Sequence, residues 1–235
     1  MLKATETTGM MKQEGAYMRL RRKPWANDWI QQHPELVISD ASQVAQGWRE
    51  LFGNDNPVHV ELGTGKGKFI DEMSRAYPDI NFIGMEKYES VLVTGLQRIL
   101  HDRRENVRFI HGDVLNLFDF FGEKEVDRLF INFTDPWPKN RHEKRRLTYK
   151  TFLSLYEKVL KNEQDIHMKT DNQVLFEYSL ESMSRYGMIL KNISLDLHNS
   201  GMEHNIMTEY ERKFYQKGQP IYRLEAFFPN DKKEE

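Results

Sequence analysis

From residue 58 onward the chain alternates short apolar runs with stretches of helical period, and this alternation constrains its fold more than any other feature. VHVELG (58–63), INFIGME (80–86), VRFIHGD (107–113), VDRLFINF (126–133) and DIHMKT (165–170) read as five buried strands. Between them lie stretches that read as helices. Over 66–77, Phe69, Ile70 and Met73 share one face; over 147–160, Tyr149, Phe152, Tyr156, Val159 and Leu160 do the same. Residues 90–100 and 173–186 complete the series. Strands separated by helices pair in parallel, because each crossover returns the chain to the same end of the sheet. MILKNISLDL (188–197) and PIYRLEAFF (220–228) add two late strands with no long helix between them. The pattern predicts an α/β, Rossmann-like, doubly wound and mostly parallel sheet of about seven strands, with an antiparallel last strand and helices on both faces. Residues 19–50 are expected to form helices packed at one end.

Length and composition narrow the field. The chain has 235 residues, enough for one sizeable core. Residues 1–17, MLKATETTGMMKQEGAY, show no periodicity and are set apart as a disordered leader or added extension; Met18 is a plausible natural start. Residues 18–235 then form a single domain with a basic N-terminal segment. No apolar run is long enough to span a membrane. With no cysteines, disulfides and thiolate zinc sites are excluded, which fits a cytoplasmic protein. The formal charge of −2 means that affinity for a polyanion must come from local patches.

ELGTGKG (61–67) carries the small-molecule signal. Gly63, Gly65 and Gly67 follow a strand and open a helix, so the backbone can turn tightly and approach a ligand closely. A nicotinamide-type G-x-G-x-x-G would need glycine at Lys68, and the P-loop spacing is also absent. E-x-G-x-G-x-G instead resembles the pattern of S-adenosylmethionine methyltransferases. Glu86 ends the second strand, where an acid can accept from both hydroxyls of a ribose. Asp113 ends the third, where it can accept from an adenine amino group. Each acid alone fits a strand-end turn; three at successive strand ends along one solvent-facing rim point to an adenosine-binding fold.

The third is Asp135, in FINFTDPWPKNRHEKRR (130–146). The prolines around Trp137 cannot continue a strand, so Asp135 stands just past a strand end on a stiff loop. Cations follow at once: Lys139, Arg141, Lys144, Arg145 and Arg146. A second cluster, Arg19, Arg21, Arg22 and Lys23, precedes Pro24 and Trp25. A charge run is most often a solvated face, yet one beside a ligand rim suits nucleic-acid phosphates.

ELGTGKG, INFTDPWPKNRHEKRRL, KTDN, TEYERKF and MRLRRKPWA together resemble the bacterial tRNA (guanine-N7-)-methyltransferase family, over about Met18 to Phe228. Thr134 stands where the family more often has serine, and the hydroxyl is kept. The resemblance implies a class I methyltransferase fold, S-adenosylmethionine as donor and the variable-loop guanine of tRNA as acceptor. It implies cofactor contacts from Glu61, Glu86, Asp113 and Asp135. Methyl transfer to an unprotonated N7 needs no general base, so Asp135 is expected to be catalytic by electrostatics and orientation. The resemblance also implies substrate contacts from Lys139, Asp171, Thr208, Glu209, Tyr210 and Glu211. RNA contacts fall to Arg141, His142, Glu143, Lys144, Arg145 and Arg146. No membrane or metal partner is expected, and a monomer or a homodimer is equally compatible.

Plainer structural roles are available for several of these residues. Asp171 or Asn172 could cap the helix that follows, and Thr208 with Glu211 has the spacing of a capping box. His198 and His204, with no third ligand in evidence, read as solvent-facing. A small-molecule methyltransferase would share residues 61–113 without needing the cations. A noncatalytic RNA-binding protein would need the cations but not the rim acids.

Overall fold

The computed structural model describes residues 22–203 and 205–230. The expectations for residues 1–17, Arg19, Arg21 and His204 lie outside that range. In chain order the helices are α1 (Ala26–Gln31), α2 (Trp48–Phe52), α3 (Lys68–Ala76), α4 (Glu89–His101), α5 (Leu117–Phe120), α6 (Lys150–Val159), α7 (Gln173–Arg185) and α8 (Glu209–Tyr215). The strands are β1 (Val37–Ile38), β2 (Val58–Leu62), β3 (Asn81–Glu86), β4 (Val107–His111), β5 (Val126–Asn132), β6 (Leu160–Thr170), β7 (Ile189–Ser194) and β8 (Tyr222–Phe227).

One sheet results, ordered β1-β4-β3-β2-β5-β6-β8-β7. After the edge strand β1, the chain enters near the middle at β2, walks outward through β3 and β4, and returns to lay β5 against the other side of β2. The gap above β2 and β5 is therefore the point where the strand order reverses, the usual ligand position in open α/β sheets. The last strand, β8, inserts antiparallel between β6 and β7. An eighth strand escaped the sequence reading: Val37 and Ile38 pair in parallel with Phe109 and Ile110 at the sheet edge, inside the segment expected to be helical. Two residues are too few to show a period.

Strands buried on both faces need a core on each. On one face, Val60, Leu62, Ile83, Met85 and Ile131 pack with Trp48, Phe152, Tyr156 and Phe176 of α2, α6 and α7. On the other, Phe82, Phe109 and Phe130 lie with Ile30, Ile70, Leu92 and Leu96 of α1, α3 and α4. The α3 entry is tight: at Gly67, φ +68°, an added Cβ would sit 3.0 Å from the Cα of Gly95 in α4.

That second face changes character beyond β5. There Arg128, Asp165, His167, Arg223 and Glu225 pair across strands, where a helix-covered face would carry apolar side chains. Arg128 Nε donates to Asp165 Oδ1 at 2.7 Å and Lys191 Nζ lies 3.1 Å from Asp165 Oδ2. Ligand atoms of Asp165, His167 and Glu225 come within 4.8 Å of one another, but Arg128, Lys191 and Arg223 already balance the carboxylates. In place of a long helix, Met202, Glu203, Asn205 and Ile206 help to line a cavity of about 250 Å³ on this face.

Candidate active site

The carboxyl ends of β2, β3, β4, β5 and β6 open onto one rim. At β2 the chain turns through Gly63, Gly65 and Gly67 at φ +72°, +60° and +68°, a region open to glycine at little cost. The turn is pinned to β3, because the Gly63 and Thr64 N–H groups both donate to the Met85 carbonyl, at 2.9 and 3.0 Å. A Cβ on Gly65 would meet nothing within 4 Å, so the backbone there faces open space. This is the bare cradle that a close-lying ligand requires.

Glu61 is buried beneath the turn. Thr64 Oγ1 donates to its Oε2 at 2.5 Å and Asn132 Nδ2 to its Oε1 at 2.9 Å. Burial pushes its carboxyl from 4.5 up to about 7, against the opposing pull of those hydrogen bonds and of Lys169. Glu86, expected on a solvent-facing rim, is instead only 9 % exposed. It accepts from the N–H groups of Gly65 (3.1 Å), Lys87 (2.9 Å) and Tyr88 (3.0 Å), so it shapes the rim besides lining it. An ionised carboxylate offers about four lone-pair sites, which leaves room for one further donor. Burial raises the pKa of Glu86 despite those three bonds. Asp113 is more open, accepting from Leu115 N–H at 3.0 Å with Lys87 Nζ 3.7 Å away.

Asp135 stands exposed at the end of β5, on a backbone that is strained on either side of it. Phe133 and Trp137 take φ +51° and +42°, costly for aromatic residues and sustained only where the surroundings fix them. Phe133 N–H donates to Lys169 O at 2.9 Å, and its ring stacks on Phe214. The constraint on Trp137 comes from Arg146. This arginine, grouped by sequence with the RNA-facing cations, is turned inward and only 6 % exposed. Its guanidinium donates to the carbonyls of Pro136 (3.2 Å) and Trp137 (3.1 Å) and lies 4.2 Å from the Tyr178 ring centroid. Arg146 is a clamp on the DPWP loop. His142 meets the Trp137 ring edge-on, and Glu143 accepts from Tyr178 Oη at 3.1 Å, so both brace the same turn. Lys139, Arg141, Lys144 and Arg145 remain exposed, with Arg145 lying over Trp137 at 4.8 Å.

On the far side of the rim, Asn172 caps α7 by accepting from Leu175 N–H at 2.8 Å. Asp171 is thus not the cap; half-buried, its carboxyl is raised by burial. Thr208 caps α8, accepting from Glu211 N–H at 3.0 Å, but the reciprocal half of a capping box is absent. Glu211 turns inward with a side chain 0 % exposed and accepts from Lys169 Nζ at 2.7 Å, so it has no surface to offer a substrate. His198 also departs from expectation: it is largely buried, 3.4 Å from Glu211 Oε1 and against Tyr215. Glu209 pairs with Arg98 of α4 and lies 3.9 Å from Lys66 of the glycine turn. Tyr210, 44 % exposed, reaches the rim acids; burial, then Asp135, Glu209 and Glu86, raise its hydroxyl pKa. Sequence reasoning missed Asn132, Lys169 and Arg98. The first two lie inside the quoted stretches INFTDPWPKNRHEKRRL and KTDN, but nothing local marks Asn132 as a partner of Glu61 or Lys169 as a partner of Glu211.

Comparison with known proteins agrees with this geometry. A family described as “Putative methyltransferase” matches residues 55–224. A tRNA (guanine-N(7)-)-methyltransferase of Halalkalibacterium halodurans is 60 % identical over 211 residues, covering 90 % of this chain and 96 % of that protein. One from a Geobacillus species is 56 % identical over 212 residues, covering 90 % and 96 %. Among solved structures, a 16S rRNA methyltransferase superposes with a TM-score of 0.59 at 14 % identity, covering 79 % of this chain and 94 % of that one. A 16S rRNA adenine-N(1)-methyltransferase from Catenulisporales acidiphilia superposes at 0.57 with 12 % identity, covering 84 % and 95 %. Those two likenesses bear on the fold alone. With the glycine turn, the rim acids and the DPWP loop on one rim, and with these relatives matched along nine-tenths of its length, the chain belongs to the tRNA (guanine-N(7)-)-methyltransferase family.

Proposed function

We propose that this protein transfers the methyl group of S-adenosylmethionine to N7 of a guanine in the variable loop of tRNA, in the cytoplasm. The observation that carries the reading is the position of Asp135. Its carboxylate stands exposed at the strand-order reversal, with the open glycine turn on one side and the exposed cations Lys139, Arg141, Lys144 and Arg145 on the other.

The residues present fit the donor. The space above Gly65 accepts a ligand at backbone distance. Glu86 keeps acceptor capacity for a ribose hydroxyl, and Asp113 stands at the next strand end for the adenine amino group. Bound there, the donor supplies an electrophilic methyl group on a cationic sulfur.

Guanine N7 carries an in-plane lone pair and no proton, so no residue has to remove one before attack. What remains for the protein is alignment and electrostatics. Positive charge develops on the purine, and Asp135 provides a fixed negative charge beside it. Tyr210 and Asp171 border the same rim and serve as substrate contacts with Lys139 and Glu209. Arg141, Lys144 and Arg145 hold backbone phosphates, which position RNA without reading its sequence. His142, Glu143 and Arg146 keep that turn rigid, while Thr208 and Glu211 fix the helix bearing Tyr210.

Incubation with tritiated S-adenosylmethionine and bulk tRNA, followed by nucleoside analysis, tests the proposal. Label should appear in 7-methylguanosine. Label in another nucleoside, or transfer only to small molecules, refutes it.

A further inference from the structure

The segment between β7 and β8 spans residues 195–221 and, among its described residues, carries only one helical turn and the seven-residue α8. A connection of this length without a long helix needs something to fix it against the sheet. The polar groups of its central part converge on one lysine. Lys169, near the end of β6, has a side chain 7 % exposed, lying 5.3 Å from the Phe69 ring. Its Nζ donates to Glu211 Oε2 at 2.7 Å, to Ile206 O at 2.9 Å and to Asn205 Oδ1 at 3.1 Å. All three ammonium donors are used. Glu211 in turn accepts from Asn205 Nδ2 and lies beside His198. Its N–H is the one that the Thr208 cap receives. A single buried ion pair thus ties together residues 198, 205, 206, 208 and 211, all in the segment that carries Tyr210 to the rim.

We propose that Lys169 and Glu211 are positioning residues for methyl transfer: without touching substrate, they hold the start of α8 so that Tyr210 faces the target base opposite Asp135. This rests on the proposed tRNA reading for the identity of the base. A buried pair is an expensive way to gain stability alone, since well-packed apolar residues of similar volume often serve as well or better. Orientation is the property they cannot supply. An ammonium with three donors sets the position of a carboxylate, a side-chain amide and a backbone carbonyl together. On the other side, Glu209 meets Arg98 and Lys66, so the turn is fastened to the cofactor side as well as to the sheet.

The test uses the full chain and two variants. In the double variant Lys169→Met with Glu211→Leu, apolar groups replace the pair and leave no lone buried charge. Glu211→Gln retains an acceptor for Lys169 and keeps the proposal falsifiable if the double variant does not fold. Hydrogen exchange without ligands, S-adenosylmethionine affinity by calorimetry, and kcat and KM for tRNA are measured on each. The double variant should exchange at least tenfold faster over residues 205–215 while the amides of β2 to β5 keep parental protection. Cofactor affinity should stay within twofold of the parent, with kcat/KM for tRNA at least tenfold lower. Glu211→Gln should fall between parent and double variant. Parental kinetics in the double variant, or in Glu211→Gln if that alone folds, overturn the proposal. So does loss of cofactor affinity and sheet protection together with activity, because the pair would then serve general stability. The exchange arm needs no substrate. If the parent failed to methylate tRNA while exchange rose only over 205–215, the fastening would stand and the tRNA reading would fall.

Discussion

Glu61 and Asp135 show how differently a carboxyl group can be used, one buried beneath the glycine turn and one exposed at the rim. Glu61 is buried with a pKa of about 7, so it stays protonated in the native chain over a range where the unfolded chain has lost the proton. The native state then binds more protons between about pH 4.5 and 7, and stability falls as pH rises through that window. A shift of this size corresponds to a loss of about 3 kcal/mol across the window, at about 1.4 kcal/mol per pKa unit. Glu61→Gln removes the term. Its amide can still accept from Thr64 and, after a flip of Asn132, donate to the Asn132 Oδ1 that has no partner. Melting temperatures from pH 5 to 8 should therefore show the parent losing stability relative to Glu61→Gln, and parallel curves would contradict the shifted pKa. Asp135, by contrast, is exposed, and the role proposed for it is in the reaction. If its charge matters, Asp135→Asn should leave cofactor and tRNA affinity nearly intact. Single-turnover methylation should then slow by about 2.7–4 kcal/mol of barrier, the scale of one preorganised electrostatic group. Should orientation be the whole contribution, Asn retains much of the rate and Ala does not; parental rates in both exclude a catalytic role.

At the scale of elements, the loop after β5 is the most instructive. FINF delivers the chain to the rim, and the prolines prevent it from continuing as a strand, all of which is visible in the letters. The positive φ of Phe133 and Trp137 is not, because it is imposed by contacts from elsewhere: the stack with Phe214 and the Arg146 clamp. In a run of cations nothing distinguishes Arg146 from Arg145. Only the turn of the backbone over Asn140–Arg145 sends one side chain inward to Tyr178 and leaves its neighbour outside. Arg146→Ala should thus cost on the order of 1.5–3 kcal/mol, the range for hydrogen bonds to a charged group. It should lower kcat more than tRNA affinity, since the slackened element carries Asp135. Thermal unfolding with steady-state kinetics checks both, and an unchanged Tm would mean that the clamp contributes nothing.

For the whole molecule, a net charge of −2 leaves any RNA affinity to local patches, and among the described residues the proposed patch is the exposed side of that same turn. Neutralising Arg141, Lys144 and Arg145 together, with Arg146 kept, should leave Tm unchanged, weaken tRNA binding and flatten its salt dependence, because fewer counterions are released. A salt series with parental slope would assign the turn to solvent. The sequence by itself determined the doubly wound sheet, the glycine turn and the rim acids. Strand and helix periods, glycine spacing and proline placement are local properties, each read within a dozen residues. It also carried the family likeness, through DPWPK and RHEKRR. Tertiary structure alone decided which of those residues stay open at the rim and which are buried or paired. Glu86 is consumed largely by backbone N–H groups, Glu211 disappears beneath α8, and Arg146 turns to the loop, each held by partners at least nine residues away or by the fold of its own turn. Val37 and Ile38 became a strand only because β4 offered them an edge, and the polar face over β6 and β8 formed only when Arg128, Asp165 and Glu225 met across strands. Exposure and pairing depend on residues distant in the chain, so no local pattern could encode them.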